Sequence, residues 1–365
     1  MKLVKQNSES YYKQVKRHLV QRINSGEYSV DSLIPSEREL CELFSVSRTT
    51  IRKATDELVN EGRLIRIPGR GTYVTRQGNA EHDNCLKTGN ILFARCTHSE
   101  SNDSSTISDD IFYPKVLHGV EQAATGYEYN CMYKTVNEAR LEMNPLEQIS
   151  PSVDGIVCGE IHTERFLQML ISTDLPIVLV SPSVMTTRVD IVAIDNTGGA
   201  ISAVNHLMAT GRRAIAYLGG PSGSIPALLR KRGYSEALES AGLTPNPRHV
   251  HSSGWRFEDG YDMARDLMQQ KDRPDAIFAS SDLIAIGALT AIRELGLDVP
   301  DDVAIIGFDD IDMAREVKPP LTTVRVDKHA LGNVAFELLR QTMSGGRDYA
   351  LHTILPTKLV KRQTG

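Results

Sequence analysis

Hydrophobic positions along this chain repeat in two ways. Near the N-terminus, four apolar residues stand three or four positions apart, which predicts an amphipathic helix over about residues 8–25 that stops at Gly26. These residues are Tyr12, Val15, Leu19 and Ile23. From residue 89 onward, the pattern changes to short continuous apolar runs separated by longer amphipathic stretches. A helical head followed by a large α/β body is therefore expected.

The body pattern predicts buried strands of parallel sheets with helices on both faces. Seven predicted strands are too many for one small lobe, so two lobes are expected. A ligand is expected between the lobes, at the carboxyl ends of the strands. The predicted strands are ILFA (91–94), GIVC (155–158), PIVLV (176–180), IVAI (191–194), AIAYLG (214–219), AIFAS (276–280) and VAIIGF (303–308). The predicted helices are 114–124, 200–210, 228–241, 261–270, 284–295 and 330–343.

In the head, the stretch 35–53 predicts two further helices with a tight turn near Ser45. Ser36 followed three positions later by Glu39 is a capping box, which begins the first of these helices. Ser47 is a suitable N-cap for the second. The second helix therefore begins where the basic residues begin.

That second helix separates a packing face from a polar face. At about 100° per residue, its basic and hydroxyl side chains share one sector, and its apolar residues fall opposite. Such a helix end suits the DNA major groove, because arginine grips guanine bidentately and threonine contacts a phosphate or a thymine methyl. The polar sector contains Arg48, Thr49, Arg52 and Lys53.

Alternating β-formers over residues 64–74 predict a hairpin whose tip carries Arg70 between Gly69 and Gly71. Such a tip can approach phosphates, and arginine is favoured in a narrow minor groove. The tip can equally be a plain turn. The basic-faced helix just before it favours DNA contact.

Charge distribution agrees with this division of the chain. The formal net charge is −5, yet residues 1–76 hold 14 Lys+Arg against 9 Asp+Glu and the remainder holds 27 against 37. A basic head on an acidic body fits a head that meets a polyanion. Ordinary surface scatter is the alternative.

Several classes of function find no support in the sequence. The five cysteines are widely spaced without a CxxC pair, so neither a disulfide framework nor a zinc site is expected. This cysteine usage is typical of a protein in a reducing cytosol. No signal core or 18-residue apolar run is present, which predicts a cytoplasmic protein without a membrane partner. The segment LGGPSG (218–223) lacks a phosphate-loop lysine, and GxSxG is absent. Neither a catalytic residue nor a cofactor or metal is predicted.

Residues 12–74 resemble the winged helix-turn-helix of the GntR family, with IPSERELCELF, VSRTTIRKA and GRGTYV in the same order. The resemblance implies that Arg38 contacts a phosphate or base edge and that the second helix reads an operator. It also implies that residues 69–71 form the wing. The expected DNA-contacting set is Arg38, Ser47, Arg48, Thr49, Thr50, Arg52, Lys53, Gly69, Arg70 and Gly71.

Residues 89–362 resemble the LacI/GalR effector-binding module, a periplasmic-binding-protein-like fold. The motifs that carry this resemblance include VDGIV (153–157), RKRGYSEALESAGL (230–243) and PPLTTVRVDKHALGNVAFELL (319–339). The two resemblances imply an α/β protein with an N-terminal winged helix-turn-helix and a two-lobed periplasmic-binding-protein-like (type I) domain of doubly wound parallel sheets. Its expected parts are a DNA-binding domain (1–76), a linker (77–88) and an effector-binding and dimerisation domain (89–365). This layout resembles that of arabinose-responsive repressors.

A sugar-like effector needs an apolar face for stacking and charged groups for paired hydroxyls. Trp255, the only tryptophan, is either a stacking platform or core filler. Arg230 matches the family arginine that bridges ligand hydroxyls, and its alternative is a helix-surface cation. Asp309 ends a predicted buried strand, where it either points toward the ligand or caps the next helix.

Four further effector residues are predicted around these three. Asp282 follows the strand AIFAS at a strand-to-helix turn, and Ser281 stands where many relatives have asparagine. Phe112 and Tyr113 lie where relatives place an aromatic against the ligand.

The expected function is a ligand-responsive transcription factor, a homodimer on a pseudo-palindromic double-stranded DNA operator. Release of a repressor by a small sugar is the expected logic. Alternatives are a body that serves only as a dimerisation scaffold or senses a non-sugar metabolite, and a sugar-modifying enzyme, for which no general base is evident.

Overall fold

A computed structural model describes residues 11–24, 27–29, 32–60, 63–67, 71–74, 88–97, 111–140, 146, 149–184, 186–345, 347 and 349–365. The chain divides into two compact units, Met1–Lys87 and Thr88–Gly365. Of the predicted linker 77–88, only Thr88 lies within the described residues.

The first unit contains three helices and a two-stranded antiparallel hairpin among its described residues. The predicted capping box is present at Ser36 and Glu39, and Ser45 ends the second helix in the left-handed conformation with φ 54°. This residue makes the predicted tight turn. The elements are α1 (Tyr11–Asn24), α2 (Glu37–Phe44), α3 (Arg48–Asn60), β1 (Leu64–Ile67) and β2 (Gly71–Val74).

The core of this unit comes from the apolar face of each helix. Leu19 of α1, Phe44 of α2 and Ile51 of α3 are fully or almost fully buried. Because the apolar faces of the helices pack against one another, the polar face of α3 stays exposed, as the sequence pattern predicts.

In the described part of the second unit, the strands form two six-stranded sheets. The first, in lobe I, has the order β13-β7-β6-β5-β3-β4, and the second, in lobe II, has the order β14-β12-β11-β10-β8-β9. Only the β12–β14 pair is antiparallel among the pairs in these sheets as described. The strands are β3 (Asn90–Thr97), β4 (Asn130–Asn137), β5 (Gly155–Gly159), β6 (Ile177–Val180), β7 (Asp190–Ile194), β8 (Ile215–Gly219), β9 (Val250–Ser252), β10 (Ala276–Ala279), β11 (Ala304–Asp309), β12 (Thr322–Arg325), β13 (His352–Leu355) and β14 (Lys358–Val360).

Helices cover both sheets, which gives the predicted doubly wound, two-lobed architecture. Helix α11 packs on α4 and on strands of lobe I, whereas α6 packs on α7 and on strands of lobe II. In the described residues the chain passes between the lobes after β7, after β12 and after β13. The helices are α4 (Tyr113–Thr125), α5 (Glu164–Ile171), α6 (Asn196–Ala209), α7 (Ile225–Ser240), α8 (Phe257–Met268), α9 (Asp282–Glu294), α10 (Met313–Glu316) and α11 (Lys328–Met343).

Close helix contacts in lobe I depend on two glycines. A Cβ atom on Gly119 of α4 would lie 2.2 Å from the His329 carbonyl oxygen, and one on Gly332 of α11 would lie 2.0 Å from the Val116 carbonyl oxygen.

Among the described residues, no helix combines the length and apolar content required to cross a bilayer.

Candidate DNA interface and effector site

The N-terminal end of α3 presents the hydroxyl groups of the predicted DNA-reading helix. Ser47 Oγ accepts a hydrogen bond from the Thr50 backbone N at 3.3 Å, which is an N-cap interaction. The same oxygen lies 3.0 Å from Thr49 Oγ1 and 2.8 Å from Thr50 Oγ1. These hydroxyls are thus held at the exposed start of the helix.

Two arginines of α3 converge on Glu37, the first residue of α2. Arg48 Nε donates to Glu37 Oε2 at 2.7 Å, and Arg52 Nε donates to Glu37 Oε1 at 3.2 Å. Arg66 of β1 approaches the same carboxylate at 3.9 Å. The Arg48 hydrogen bond lowers the pKa of Glu37, so the carboxylate stays ionised at neutral pH. The two arginine side chains remain 73% and 56% exposed and can reach a groove.

The sequence pattern does not single out Glu37. It lies 11 and 15 positions from the two arginines, so only the turn at Ser45 brings them together. An acidic residue at the first position of a helix otherwise has an adequate explanation in the helix dipole.

Other predicted DNA residues are placed differently. Arg38 is highly exposed and bonds Glu42 at 3.4 Å on its own helix. Lys53 Nζ lies 4.1 Å from the centroid of the Tyr12 ring on α1, so Lys53 is not grouped with Arg48 and Arg52. The lysine side chain is long enough to reach beyond its helical sector, and Lys53 itself stays exposed.

The predicted wing is described only in part. Gly69 and Arg70 lie outside the described residues. Gly71 begins β2 with φ 111°, a conformation that favours glycine, and a Cβ there would lie 2.5 Å from Leu33 Cδ1. Glycine is therefore required at this position for backbone reasons as well as for any approach to DNA.

In the second unit, Arg230 and Asp309 meet at the carboxyl ends of the lobe II strands. Arg230, on α7, is 5% exposed, and its Nη2 lies 3.5 Å from Asp309 Oδ1. Its Nε donates to Asn196 Oδ1 at 2.8 Å and its Nη1 donates to the Ser280 carbonyl at 2.5 Å. Burial lowers the pKa of Arg230, and the Asp309 carboxylate counters that shift. Arg230 is therefore not a helix-surface cation.

Aromatic rings flank this pair. The Arg230 guanidinium carbon lies 3.8 Å from the centroid of the Phe308 ring and 5.8 Å from that of Trp255. Trp255 is half-buried in the loop between β9 and α8. Its indole lies against the backbone of Gly220, where a Cβ would approach within 2.6 Å. Trp255 thus lies beside Arg230 and packs against the outside of the lobe II hydrophobic core.

Asp309 does not cap the following helix, since α10 begins after Asp312. Its φ is 113°, and Asp310 follows with φ 51°. Consecutive non-glycine residues in this region are strained, and such strain concentrates at functional sites. The Lys328 ammonium donates a hydrogen bond to the Asp309 carbonyl and so supports this backbone.

Ser281 and Asp282 both form hydrogen bonds within the protein. Ser281 Oγ caps α9 by accepting from the Ile284 backbone N at 3.2 Å. Asp282 is fully buried, and its two carboxylate oxygens accept from Thr323 Oγ1 and from the Ile311 backbone N. The two side chains thus fix the start of α9, and their contact with a ligand stays a prediction. Sequence position alone does not distinguish such structural roles from ligand contact, because both residues follow a strand at its carboxyl end.

The two predicted aromatics of lobe I diverge. Phe112 is partly buried, with its ring centroid 5.5 Å from Lys328 Nζ, which links it to Asp309. Tyr113 is 6% exposed and lies against Gly159, where a Cβ would approach Tyr113 Cε1 within 2.6 Å. Phe112 therefore belongs to the Arg230–Asp309 surroundings, and Tyr113 belongs to the core of lobe I.

The described residues contain no cluster of three or more His, Cys, Asp or Glu side chains arranged to bind a metal ion.

A winged helix-turn-helix with exposed arginines and a two-lobed body with a buried charged pair at its strand ends define a DNA-binding regulator with an effector module. Residues 11–74 match the model of bacterial regulatory proteins of the gntR family, and residues 204–364 match the periplasmic binding protein-like domain.

Similar proteins agree with both assignments. The HTH-type transcriptional repressor PurR of Haemophilus influenzae (strain PittEE) is 32% identical over 268 residues, 70% of this chain and 79% of the relative. The arabinose metabolism transcriptional repressor of Geobacillus stearothermophilus is 27% identical over 350 residues, 93% of this chain and 92% of the relative.

Solved structures extend the comparison. A transcriptional regulator CelR–cellobiose complex has a TM-score of 0.70 and 26% identity over 98% of this chain and 100% of that chain. A regulatory protein of the LacI family from Chloroflexus aggregans has a TM-score of 0.65 and 30% identity over 76% of this chain and 98% of that chain. The chain belongs to the LacI family of bacterial transcriptional repressors and carries a GntR-family DNA-binding head. It is a transcriptional regulator.

Proposed function

We propose that this protein is a repressor whose operator affinity is controlled by a small sugar bound between its two lobes. The observation that carries this proposal is the buried Arg230–Asp309 pair flanked by Phe308 and Trp255. The proposed parts are a DNA-binding domain (1–76), a linker (77–88) and an effector-binding and dimerisation domain (89–365).

The chemistry of this pair suits a polyhydroxylated ligand. A guanidinium donates to two neighbouring hydroxyls, a carboxylate accepts from them, and an indole offers an apolar face to the sugar ring. Two relatives support a sugar, since one is a repressor of arabinose metabolism and another is a regulator in complex with cellobiose.

On the DNA side, the proposed reading residues are those that α3 exposes. Arg48 and Arg52 would bind base edges, and the hydroxyls of Ser47, Thr49 and Thr50 would position the helix end. The wing (69–71) and Arg38 would contact the backbone or minor groove. A homodimer would place two such heads on the half-sites of a pseudo-palindromic operator.

Contacts between the lobes offer a route for control by the effector. Lys115 of α4 in lobe I bonds Asp312 in lobe II at 2.9 Å, and Ile111 packs against the lobe II core. A ligand held by both lobes binds a closed arrangement better than an open one and shifts the population toward it. Closure would then lower operator affinity, which is the logic of an induced repressor.

Two measurements test the proposal with the full-length protein. Thermal unfolding against pentoses, hexoses and disaccharides identifies the effector, because a ligand at a hundred times its Kd adds about 2.7 kcal/mol to the free energy of unfolding. Selection from random duplexes then supplies the operator. The expected result is weaker operator binding when the stabilising sugar is added. Operator binding that no stabilising sugar alters would contradict the proposal and favour a scaffold role for the body.

A further inference from the structure

Lys328 lies at the boundary between the lobes. It is the first residue of α11, immediately after the chain leaves β12 in lobe II and enters lobe I. The side chain is 4% exposed. Its ammonium donates to the carbonyl of Asp309 in lobe II and faces the ring of Phe112 from lobe I. The cation therefore lies among the residues proposed to bind the effector, although no sequence pattern singled it out.

This ammonium has more donors than its protein neighbours use. A lysine ammonium carries three N–H donors, and the described residues offer it one hydrogen-bond acceptor, the Asp309 carbonyl oxygen. Burial lowers the pKa of Lys328, and the carboxylates of Asp309, Asp282 and Asp310 counter that shift. A buried cation is stable only with partners that compensate for lost hydration. The position is thus suited to a ligand that brings acceptor oxygens.

Two buried cations meet at Asp309. Arg230 Nη2 lies 3.5 Å from the Asp309 carboxylate, and the Lys328 ammonium donates to the Asp309 carbonyl oxygen. Burial raises the pKa of Asp282, and both of its carboxylate oxygens already accept hydrogen bonds from Thr323 and Ile311. Arg230 and Lys328 are therefore two cations placed on either side of one residue.

Two further carboxylates near Lys328 form ion pairs with other cations. Asp310 is bound by Arg325 at 2.6 Å and by Arg362 at 2.5 Å. Asp312 is bound by Lys115 at 2.9 Å. Both carboxylates also interact electrostatically with Lys328.

We propose that Lys328 and Arg230 together bind an anionic group of the effector, so that the effector is an acidic sugar rather than a neutral one. This inference rests on the proposed function, because it takes the effector to be a sugar. A sugar carboxylate or phosphate accepts charge-assisted hydrogen bonds from both cations, while Asp309 and Trp255 engage the ring hydroxyls and face.

The test is thermal unfolding of the full-length protein with sugars that share a carbon skeleton. One set is glucose, glucuronate, gluconate and glucose 6-phosphate, and a second is galactose and galacturonate. An anionic member is expected to stabilise the protein, with a Kd at least about tenfold below that of its neutral counterpart. Stabilisation by the carboxylates alone or by the phosphate alone identifies which anion binds.

The failures of the two proposals give different results. A neutral sugar that binds as tightly as its anionic counterparts overturns the present inference and leaves the sugar-responsive repressor intact. No stabilisation by any member of either set overturns the present inference, and the wider screen of pentoses, hexoses and disaccharides then decides whether the protein binds a sugar at all.

Substitutions of Lys328 test whether this residue binds the anionic group of the effector. In Lys328→Gln the Kd for the anionic sugar is expected to rise about 10- to 100-fold, the loss that accompanies removal of one charged hydrogen-bond donor. Lys328→Arg keeps the charge and should retain a preference for the anion. Lys231→Gln removes an exposed charge next to Arg230 and should leave the Kd unchanged. An undiminished anion preference in Lys328→Gln contradicts the assignment, and the wild-type sugar sets decide the matter if that variant does not fold.

Discussion

Arg48 Nε donates a 2.7 Å hydrogen bond to Glu37 across the turn that joins α2 to α3. The bond joins the first residue of one helix to the first residue of the next, and the other oxygen of the carboxylate receives Arg52. An exposed ion pair of this kind adds little to folding stability. Its effect is geometric, since it limits the conformations of two long side chains that are proposed to contact bases in a groove.

Glu37→Gln is therefore expected to reduce sequence discrimination. Loss of the carboxylate releases both arginines and removes a negative charge, so affinity for random duplex should rise while affinity for the selected operator should not. The ratio of the two affinities, measured by fluorescence anisotropy at a fixed salt concentration, is the readout.

Glu57→Gln is the matched control for this prediction, because Glu57 bonds Lys16 at 2.9 Å elsewhere in the same domain. It removes the same charge without touching the arginines. An equal rise in affinity for both duplexes in Glu37→Gln would mean that Glu37 acts only through its charge.

Arg52→Ala should weaken operator binding by roughly 1–3 kcal/mol, because a bidentate contact to a base edge is lost. Affinity for random duplex should change much less. Anisotropy titrations on both duplexes at several salt concentrations measure the difference. Equal losses on the two duplexes, together with a salt slope lowered by about one, would identify Arg52 as a phosphate contact.

Most of the fold follows from the sequence because buried parallel strands are continuous apolar runs. Four of the five body strands that no pattern predicts lie at sheet edges, namely β4, β9, β13 and β14, and the fifth, β12, lies between β14 and β11. Strand β4, for example, is exposed at four of its eight positions and mixes polar with apolar residues. An edge strand has one neighbour and fewer buried faces, so the apolar signal that identifies β5 or β11 is absent from it.

The candidate sites were less predictable than the fold. Arg230 is predicted from the family resemblance, Asp309 from its place at a strand end and Trp255 from being the only tryptophan, and the structure brings the three close together. Glu37 and Lys328 are not predicted, since their partners are distant in sequence and meet them only in the folded chain. Burial at a strand end also could not be predicted, as the buried side chains of Ser281 and Asp282 show.

Asp309→Asn should abolish induction and leave operator binding intact. Asparagine tolerates the left-handed backbone of Asp309 better than alanine does, so the substitution tests the charge and not the strain. Loss of a charged hydrogen-bond acceptor should weaken effector binding by roughly 1.5–3 kcal/mol. Calorimetry with the effector and anisotropy with the operator separate the two activities. Unchanged effector affinity would remove Asp309 from the site.

Asp282 should make folding stability fall as pH rises. Burial raises its pKa above the ordinary value of about 3.9, so the folded protein keeps a proton that the unfolded chain releases. The free energy of unfolding should therefore decrease with pH above about 4, until the raised pKa is passed. Denaturant titrations at several pH values should give a steeper decline for the wild type than for Asp282→Asn. Parallel pH profiles would show that Asp282 is ionised in the folded protein.

Gly220→Ala should impair the effector site by displacing Trp255. A Cβ on Gly220 would lie 2.6 Å from the indole, so the ring must shift from its present position 5.8 Å from the Arg230 guanidinium. Gly223→Ala in the same loop is the control, because a Cβ there meets nothing within 4 Å. The first variant should bind effector more weakly by about tenfold or more, and the second should match the wild type. Tryptophan fluorescence reports the ring directly, since Trp255 is the only tryptophan. A displaced emission spectrum with unchanged effector affinity would show that the indole is not a stacking platform, whereas a joint change in both would tie sugar binding to its position.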